Sequence, residues 1–289
     1  MLGRVVVFTL WSLHFLPLPV LAPIGKVVGM LAYAFVWERR RVARINLALC
    51  FPKLGRRERE LLLREHFQCF GRAILEAGIG WWGSPKRLQH IVRIEGKEHV
   101  DALRGGLFIC LAPHFVGLEL EGLRVTMEYR GVAVYVHQKD PYIDAFLKRK
   151  RERFAGTRMI SRQEGVKAIL RALRGGQALQ LSPDMDLGAR DAVFAPFFGV
   201  SAATVTALSR MARLTQAHVV PLVVRQLPGA AGYVARFYPA WERYPGASVE
   251  QDTQRMNAFI EARIREMPEQ YLWTHRRFKT RPAGEPGYY

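Results

Sequence analysis

The segment APHFVGLEL, residues 112–120, holds two ionisable side chains, His114 and Glu119, in an otherwise apolar stretch. A carboxylate that fixes the tautomer of a histidine lets the imidazole take a proton from a hydroxyl as that hydroxyl attacks a carbonyl carbon. We therefore predict that His114 is a general base and that Glu119 orients it. The alternative is a structural histidine bonded to a backbone carbonyl, and this segment alone does not decide between the two.

The elements around His114 predict where it lies in the fold. His114 follows the apolar run of residues 107–111, which is typical of a buried strand, and Pro113 marks the break. Further β-rich runs and segments of helical spacing follow each other along the chain: runs at 91–96, 132–138, 178–183 and 218–226, and helical segments at 57–80, 116–128, 142–154, 164–174 and 203–215. This alternation predicts an α/β fold, a single layered domain with a central, mostly parallel sheet flanked by helices. Because ligands bind beyond the carboxyl ends of such strands, His114 is predicted to face a ligand.

The first 37 residues are much more apolar than the rest. Between Val5 and Trp37, only His14 and Lys26 are readily charged, and three prolines divide the run. We predict a helical membrane anchor over residues 1–37 and a catalytic domain over residues 38–289. A cleaved signal peptide is the alternative, but the arginines directly after Trp37 favour a flank that stays in the cytoplasm.

Composition and missing motifs exclude several classes of protein. Lys and Arg total 43 against 25 Asp and Glu, a formal charge of +18, which predicts an anionic partner: nucleic acid, phospholipid or an acidic carrier protein. The three cysteines include no C-x-x-C pair, which argues against a disulfide framework and a zinc site. Without a phosphate loop, G-x-G-x-x-G, H-E-x-x-H or G-x-S-x-G, the sequence predicts no metal, no cofactor and no elbow-type serine hydrolase.

Five segments together resemble a known family. HFVGLE is similar to the H-x4-[DE] signature of glycerolipid and lipid A acyltransferases that use acyl carrier protein. Four further segments match family blocks in the same order: NLALCFP at 46–52, RERFAGTRMISRQEGV at 151–166, SPDMDLGARDAVFAPFFG at 182–199 and YLWTHRRFKTRP at 271–282. The sequence therefore resembles the Kdo2-lipid A lauroyl/myristoyl acyltransferases of the lysophospholipid-acyltransferase-like superfamily.

The resemblance implies a reaction, partners and a location. It implies acyl transfer from acyl carrier protein to a hydroxyl of a lipid A precursor, with His114 as base, Glu119 as its orienting carboxylate, and Arg151 and Asp184 binding substrate. It also implies contact with inner-membrane phospholipids, no nucleic acid, a monomer, and a catalytic domain that faces the cytoplasm from the cell inner membrane. Taken by itself, Arg151 is better interpreted as a solvated helix charge, and Asp184 could equally be a turn residue.

Two other functions stay open at this point. Relatives with the H-x4-E core act on other glycolipids such as phosphatidylinositol mannosides. A membrane-tethered nucleic-acid-binding protein is suggested only by the charge, since no RNA-reading or helix-turn-helix motif is evident.

The basic block of residues 275–281 is either a site for head-group phosphates or a solvated face. The sequence does not distinguish laurate, myristate and palmitate, because each methylene contributes only about 0.8 kcal/mol of burial. Phe115, Val116 and Gly117 replace the Phe-Gly-Asn-Trp of many members, which leaves the acceptor open.

Overall fold

The computed structural model describes residues 2–289, with side chains from residue 3, and contains a seven-stranded sheet and a separate two-stranded hairpin. The strands in chain order are β1 (Val92–Glu95), β2 (Phe108–Leu111), β3 (Gly131–Tyr135), β4 (Arg158–Ser161), β5 (Ala178–Leu181), β6 (Ala192–Phe197), β7 (Val200–Val205), β8 (His218–Gln226) and β9 (Tyr233–Phe237). The sheet order is β1-β9-β8-β2-β5-β3-β4, and only the β8–β9 pair is antiparallel. The predicted α/β fold with a mostly parallel sheet is confirmed.

Helices cover the sheet and form the first third of the chain. They are α1 (Leu2–Leu13), α2 (Leu18–Phe35), α3 (Trp37–Cys50), α4 (Arg56–Trp82), α5 (Pro85–Ile91), α6 (Glu98–Asp101), α7 (Leu118–Val125), α8 (Pro141–Arg151), α9 (Gly165–Arg174), α10 (Ala207–Thr215) and α11 (Val249–Glu266). The amphipathic helix predicted at 57–80 is α4. The helix predicted at 203–215 begins later, because residues 203–205 complete β7.

The central strands are buried from both sides. Ile109 and Leu111 of β2 and Val219 and Leu222 of β8 are fully buried. Strands covered on both faces have nearly continuous apolar sequences, which is why these two were predictable. β2 pairs with β5 on one side and β8 on the other, so it lies in the middle of the sheet. His114 follows its carboxyl end.

The N-terminal helices leave an apolar surface exposed. By length and composition α2 is long enough to cross a membrane, and Phe35 at its end is 78% exposed. Phe8 of α1 is 65% exposed. This surface is compatible with membrane association. The boundary between an anchor at 1–37 and a domain at 38–289 stays a prediction.

Glycines let α2 pack directly on the backbone of α4. A Cβ atom added at Gly29 would lie 2.0 Å from the Phe67 carbonyl oxygen, and one added at Gly71 would lie 2.3 Å from the Gly25 carbonyl oxygen. Both distances are too short for any side chain. The main chains of α2 and α4 are therefore in van der Waals contact. This contact fixes the apolar helix α2 to the rest of the fold.

Gly71→Ala is expected to lower the free energy of unfolding by about 1–3 kcal/mol, because the added methyl group must push α2 away from α4. Thermal unfolding of the full chain in detergent, followed by circular dichroism, measures this loss. Gly122→Ala in α7 is the matched control, since its Cβ would be 3.4 Å from the nearest atom, the Gln180 Oε1. The control should be neutral or stabilise by up to about 1 kcal/mol. Equal stability of both variants would contradict the packing described.

Candidate active site

The neighbouring strands β2 and β5 place His114 beside Asp184. Their pairing extends one residue beyond β2, because the Ala112 N–H donates to the Leu181 carbonyl at 2.9 Å. The chain then turns away at Pro113, so that His114 follows at the sheet edge. Residues 70 positions apart in sequence are thereby brought into direct contact.

Asp184 holds the imidazole of His114 with both carboxylate oxygens. The Nδ1 atom of His114 lies 2.7 Å from Oδ1, and the backbone N–H of the same residue donates to Oδ2 at 2.9 Å. Because an ionised carboxylate only accepts, Nδ1 carries the proton. The lone pair of Nε2 is then available, and the His114 side chain is 22% exposed while that of Asp184 is inaccessible to solvent.

The electrostatics of this pair keep Asp184 ionised. Burial disfavours the charged carboxylate, but the attraction of His114 and its two hydrogen bonds outweigh that cost and lower the pKa of Asp184 to about 2. At neutral pH Asp184 is therefore an anion that stabilises a positive charge on His114. This is the arrangement that a general base requires.

Glu119, predicted to orient His114, is bound to other side chains instead. The Nη2 and Nε atoms of Arg151 donate to its Oε2 at 2.7 and 3.0 Å, and Trp81 Nε1 donates to Oε1 at 2.8 Å. Glu119 lies in the first turn of α7 and meets side chains from α4 and α8. Spacing along the chain suggested a local contact, whereas the His114 ring is bonded to a carboxylate in the turn that follows β5.

The predicted substrate-binding residues have different surroundings from those expected. Asp184, predicted to bind substrate, is 1% exposed and bonded to His114. Arg151 is partly buried and its forked guanidinium is bound to Glu119, so it is not a solvated helix charge. The two residues belong to two separate pairs, His114–Asp184 and Glu119–Arg151.

The C-terminal segment fixes the loop that carries His114. The Leu272 N–H donates to the His114 carbonyl and the Val116 N–H donates to the Gln270 carbonyl, both at 2.9 Å. A β-bridge joins Phe115 to the same segment. The sequence did not predict this role.

Part of the basic C-terminal block is structural. Arg277 is buried and donates to the Ala203 carbonyl at 2.8 Å and to Thr204 Oγ1 at 2.7 Å. His275 Nε2 accepts from the Asp186 backbone N–H at 3.0 Å, and burial lowers the pKa of His275 to about 4. His275 is therefore neutral at physiological pH, and Arg277 is not available for a head group.

A second histidine–carboxylate pair lies after β3. His137 Nδ1 is 2.7 Å from Asp144 Oδ2, and the Gln138 N–H donates to Oδ1, so the geometry resembles that of the first pair. The His137 side chain is 48% exposed, however, and Asp144 is not deeply buried. Within residues 2–289, no group of three or more His, Cys, Asp or Glu side chains is arranged to hold a metal ion.

A family model and several relatives of known name agree on one family. A family model described as bacterial lipid A biosynthesis acyltransferase matches residues 2–280. The chain is 35% identical over 284 residues to a lipid A biosynthesis lauroyltransferase of Escherichia coli (strain K12), covering 97% of this chain and 92% of that protein. It is 34% identical over 283 residues to a lipid A biosynthesis palmitoleoyltransferase of the same strain, with coverage of 97% and 92%. A lipid A biosynthesis myristoyltransferase of that strain is 29% identical over 270 residues, with coverage of 92% and 82%. The names agree on the reaction class and differ in the acyl chain.

Proposed function

The chain belongs to the bacterial lipid A biosynthesis acyltransferase family, and from this premise we propose that it transfers a fatty acyl chain from acyl carrier protein to a hydroxyl of a lipid A precursor. The observation that carries the chemistry is the His114–Asp184 pair, because it leaves Nε2 of a tautomerically fixed imidazole free to accept a proton. Family membership favours this function over nucleic-acid binding.

The proposed step balances without a metal or a second nucleophile. The Nε2 atom of His114 takes the proton of the acceptor hydroxyl as its oxygen attacks the thioester carbonyl. The new C–O bond forms, the C–S bond breaks, and the proton passes from the imidazolium to the departing thiolate. Asp184 stabilises the imidazolium throughout.

Glu119 and Arg151 are proposed to act as a second unit. Two of the three guanidinium nitrogens of Arg151 are bound to Glu119, and Nη1 has no hydrogen-bond partner among the described residues. We assign Nη1 to the developing oxyanion or to a phosphate of the acceptor, since a charged N–H donor suits either. Glu119 is then a positioning residue that fixes the direction of this donor.

We propose that the N-terminal helices lie in the cytoplasmic face of the inner membrane. α2 runs along α4 from Gly25, which meets Arg72, to Tyr33, which bonds to Glu60. If α2 crossed the bilayer, it would carry the charged start of α4, around Arg57, into hydrocarbon, at a cost of several kcal/mol. An interfacial position instead buries the exposed apolar faces of α1 and α2 and leaves the charges in water.

An assay of the purified full chain with a tetra-acylated lipid A precursor tests the function. Lauroyl, myristoyl and palmitoyl acyl carrier proteins are offered separately, and the product is identified by a mass increase of one acyl group. Because the protein carries +18 and carrier proteins are acidic, kcat/KM should exceed that for the matching acyl-coenzyme A by about 10-fold or more at low salt. Raising the salt concentration should reduce this ratio.

Two outcomes would contradict the proposal. Transfer to water alone, with no acylated precursor, would exclude the acceptor. Equal kcat/KM for the carrier protein and coenzyme A donors at low salt would exclude carrier recognition, while the acyltransferase activity itself would stand.

A further inference from the structure

Helices α1 and α8 face each other across a cleft of about 230 Å³, here called the α1–α8 cleft. Its lining combines cations and aromatic rings, which include Arg4, Trp11, Trp82, Phe146, Arg149 and Lys150. On α8 the lining positions follow helical spacing, and on α1 they do so as well, so each helix presents one stripe to the cleft. A cleft with this composition fits an anionic amphiphile.

The cations of the cleft lack neutralising partners. Arg4, Arg149 and Lys150 form no ion pair with any carboxylate of residues 2–289. Arg4 lies over the Tyr142 ring at 5.5 Å and Lys150 over the Trp82 ring at 5.0 Å. The cluster thus keeps its positive charge available to a ligand.

The surroundings of the cluster support an anion. Burial and the repulsion of Arg149 and Arg153 lower the pKa of Lys150, and a bound anion would relieve that repulsion. Asp144, on α8, is bonded to His137. Asp140 caps α8 through Oδ1, and its Oδ2 lies beside Gly3 of α1, 2.9 Å from where a Cβ atom would stand.

The floor of the cleft continues into the candidate active site. Trp81, which donates to Glu119, packs edge-on against Phe146 with ring centroids 5.3 Å apart. Phe146 lines the cleft. One aromatic side chain therefore separates the cleft from the Glu119–Arg151 pair, and α8 carries both Lys150 and Arg151.

We propose that the α1–α8 cleft binds a phosphate group of the acceptor glycolipid, with Arg149 and Lys150 on the phosphate and the aromatic floor against the attached apolar part. The proposal rests on the proposed function. A membrane phospholipid offers the same phosphate chemistry, but the position of the cleft next to the Glu119–Arg151 pair, with Trp81 between them, favours the acceptor. Phe8 on the opposite wall is exposed and therefore accessible to the apolar part of a lipid.

The double variant Arg149→Gln/Lys150→Gln tests the cleft. With the phosphorylated lipid A precursor its KM should rise by about 10-fold or more, because charge-assisted hydrogen bonds are lost, and kcat should stay within about twofold. With the same lipid after enzymatic removal of its phosphate, wild type and variant should have equal KM values. The control Arg56→Gln/Arg57→Gln removes the same charge from exposed positions on α4 and should leave both KM values unchanged.

Equilibrium binding of the phosphorylated and the dephosphorylated lipid, measured without an acyl donor, tests the cleft independently of acyl transfer. Weaker binding of only the phosphorylated lipid by the cleft variant supports the cleft even if no acyl transfer is found. Unchanged binding overturns it. An equal loss for both lipids, together with weaker binding to phosphatidylglycerol vesicles, overturns it as well, because it identifies general attraction to anionic membranes.

Discussion

Asp184→Asn is expected to lower turnover by about 10²- to 10⁴-fold in a protein that stays folded, a loss in the range of general-base catalysis. The carboxylate of Asp184 accepts from both the Nδ1 and the backbone N–H of His114. Asparagine has one acceptor oxygen, and the backbone N–H will take it. The amide NH₂ group then faces Nδ1, which must become an acceptor. The proton moves to Nε2, and the ring in that tautomer cannot take a proton from a hydroxyl.

Asp144→Asn is the matched control for this substitution. Asp144 also bridges a histidine Nδ1 and a backbone N–H, those of His137 and Gln138, but at an exposed position. Turnover of this control should stay within about twofold of the wild type. Turnover per mole of folded enzyme, with near-ultraviolet circular dichroism as the folding check, compares the two. If Asp144→Asn loses as much as Asp184→Asn, the base is not His114.

Much of the fold was predictable because its central strands are buried on both faces. β2, β5 and β8 have apolar sequences that indicate strands without any knowledge of their neighbours. β4 and β9 each carry an exposed arginine, so neither produces a continuous apolar run. The hairpin β6–β7 contains Pro196 and lies directly before α10, which explains why its end was assigned to a helix.

The position of His114 after a central strand was predictable from the sequence, but its contact with Asp184 was not. His114 follows a recognisable strand, and a residue after a parallel strand faces the ligand edge. The contact with Asp184 depends on β2 and β5 being neighbours, and strand order is a property of the whole sheet. The five-residue spacing to Glu119 was a local signal, but the first turn of α7 directs that carboxylate to Arg151 and Trp81 instead.

His114→Ala is expected to lower turnover by at least about 10²-fold, because it removes the proposed general base that accepts the hydroxyl proton. Adding Asp184→Ala should make the enzyme scarcely slower, since the carboxylate acts only through the imidazole and the losses of a coupled pair do not add. Glu119→Gln belongs to the other pair. This substitution loosens Arg151. In the double variant with His114→Ala, the fold-losses of turnover from the two substitutions should therefore multiply.

Single-turnover rates at high enzyme concentration, with acyl carrier protein as donor, give these comparisons even for slow variants. The decisive quantity is the coupling in each double-mutant cycle, which should be large for His114 with Asp184 and near zero for His114 with Glu119. The opposite order would restore Glu119 as the orienting carboxylate. If a folded His114→Ala variant keeps more than about a tenth of wild-type turnover, its loss of turnover is smaller than general-base catalysis typically contributes. The role of His114 would then be structural.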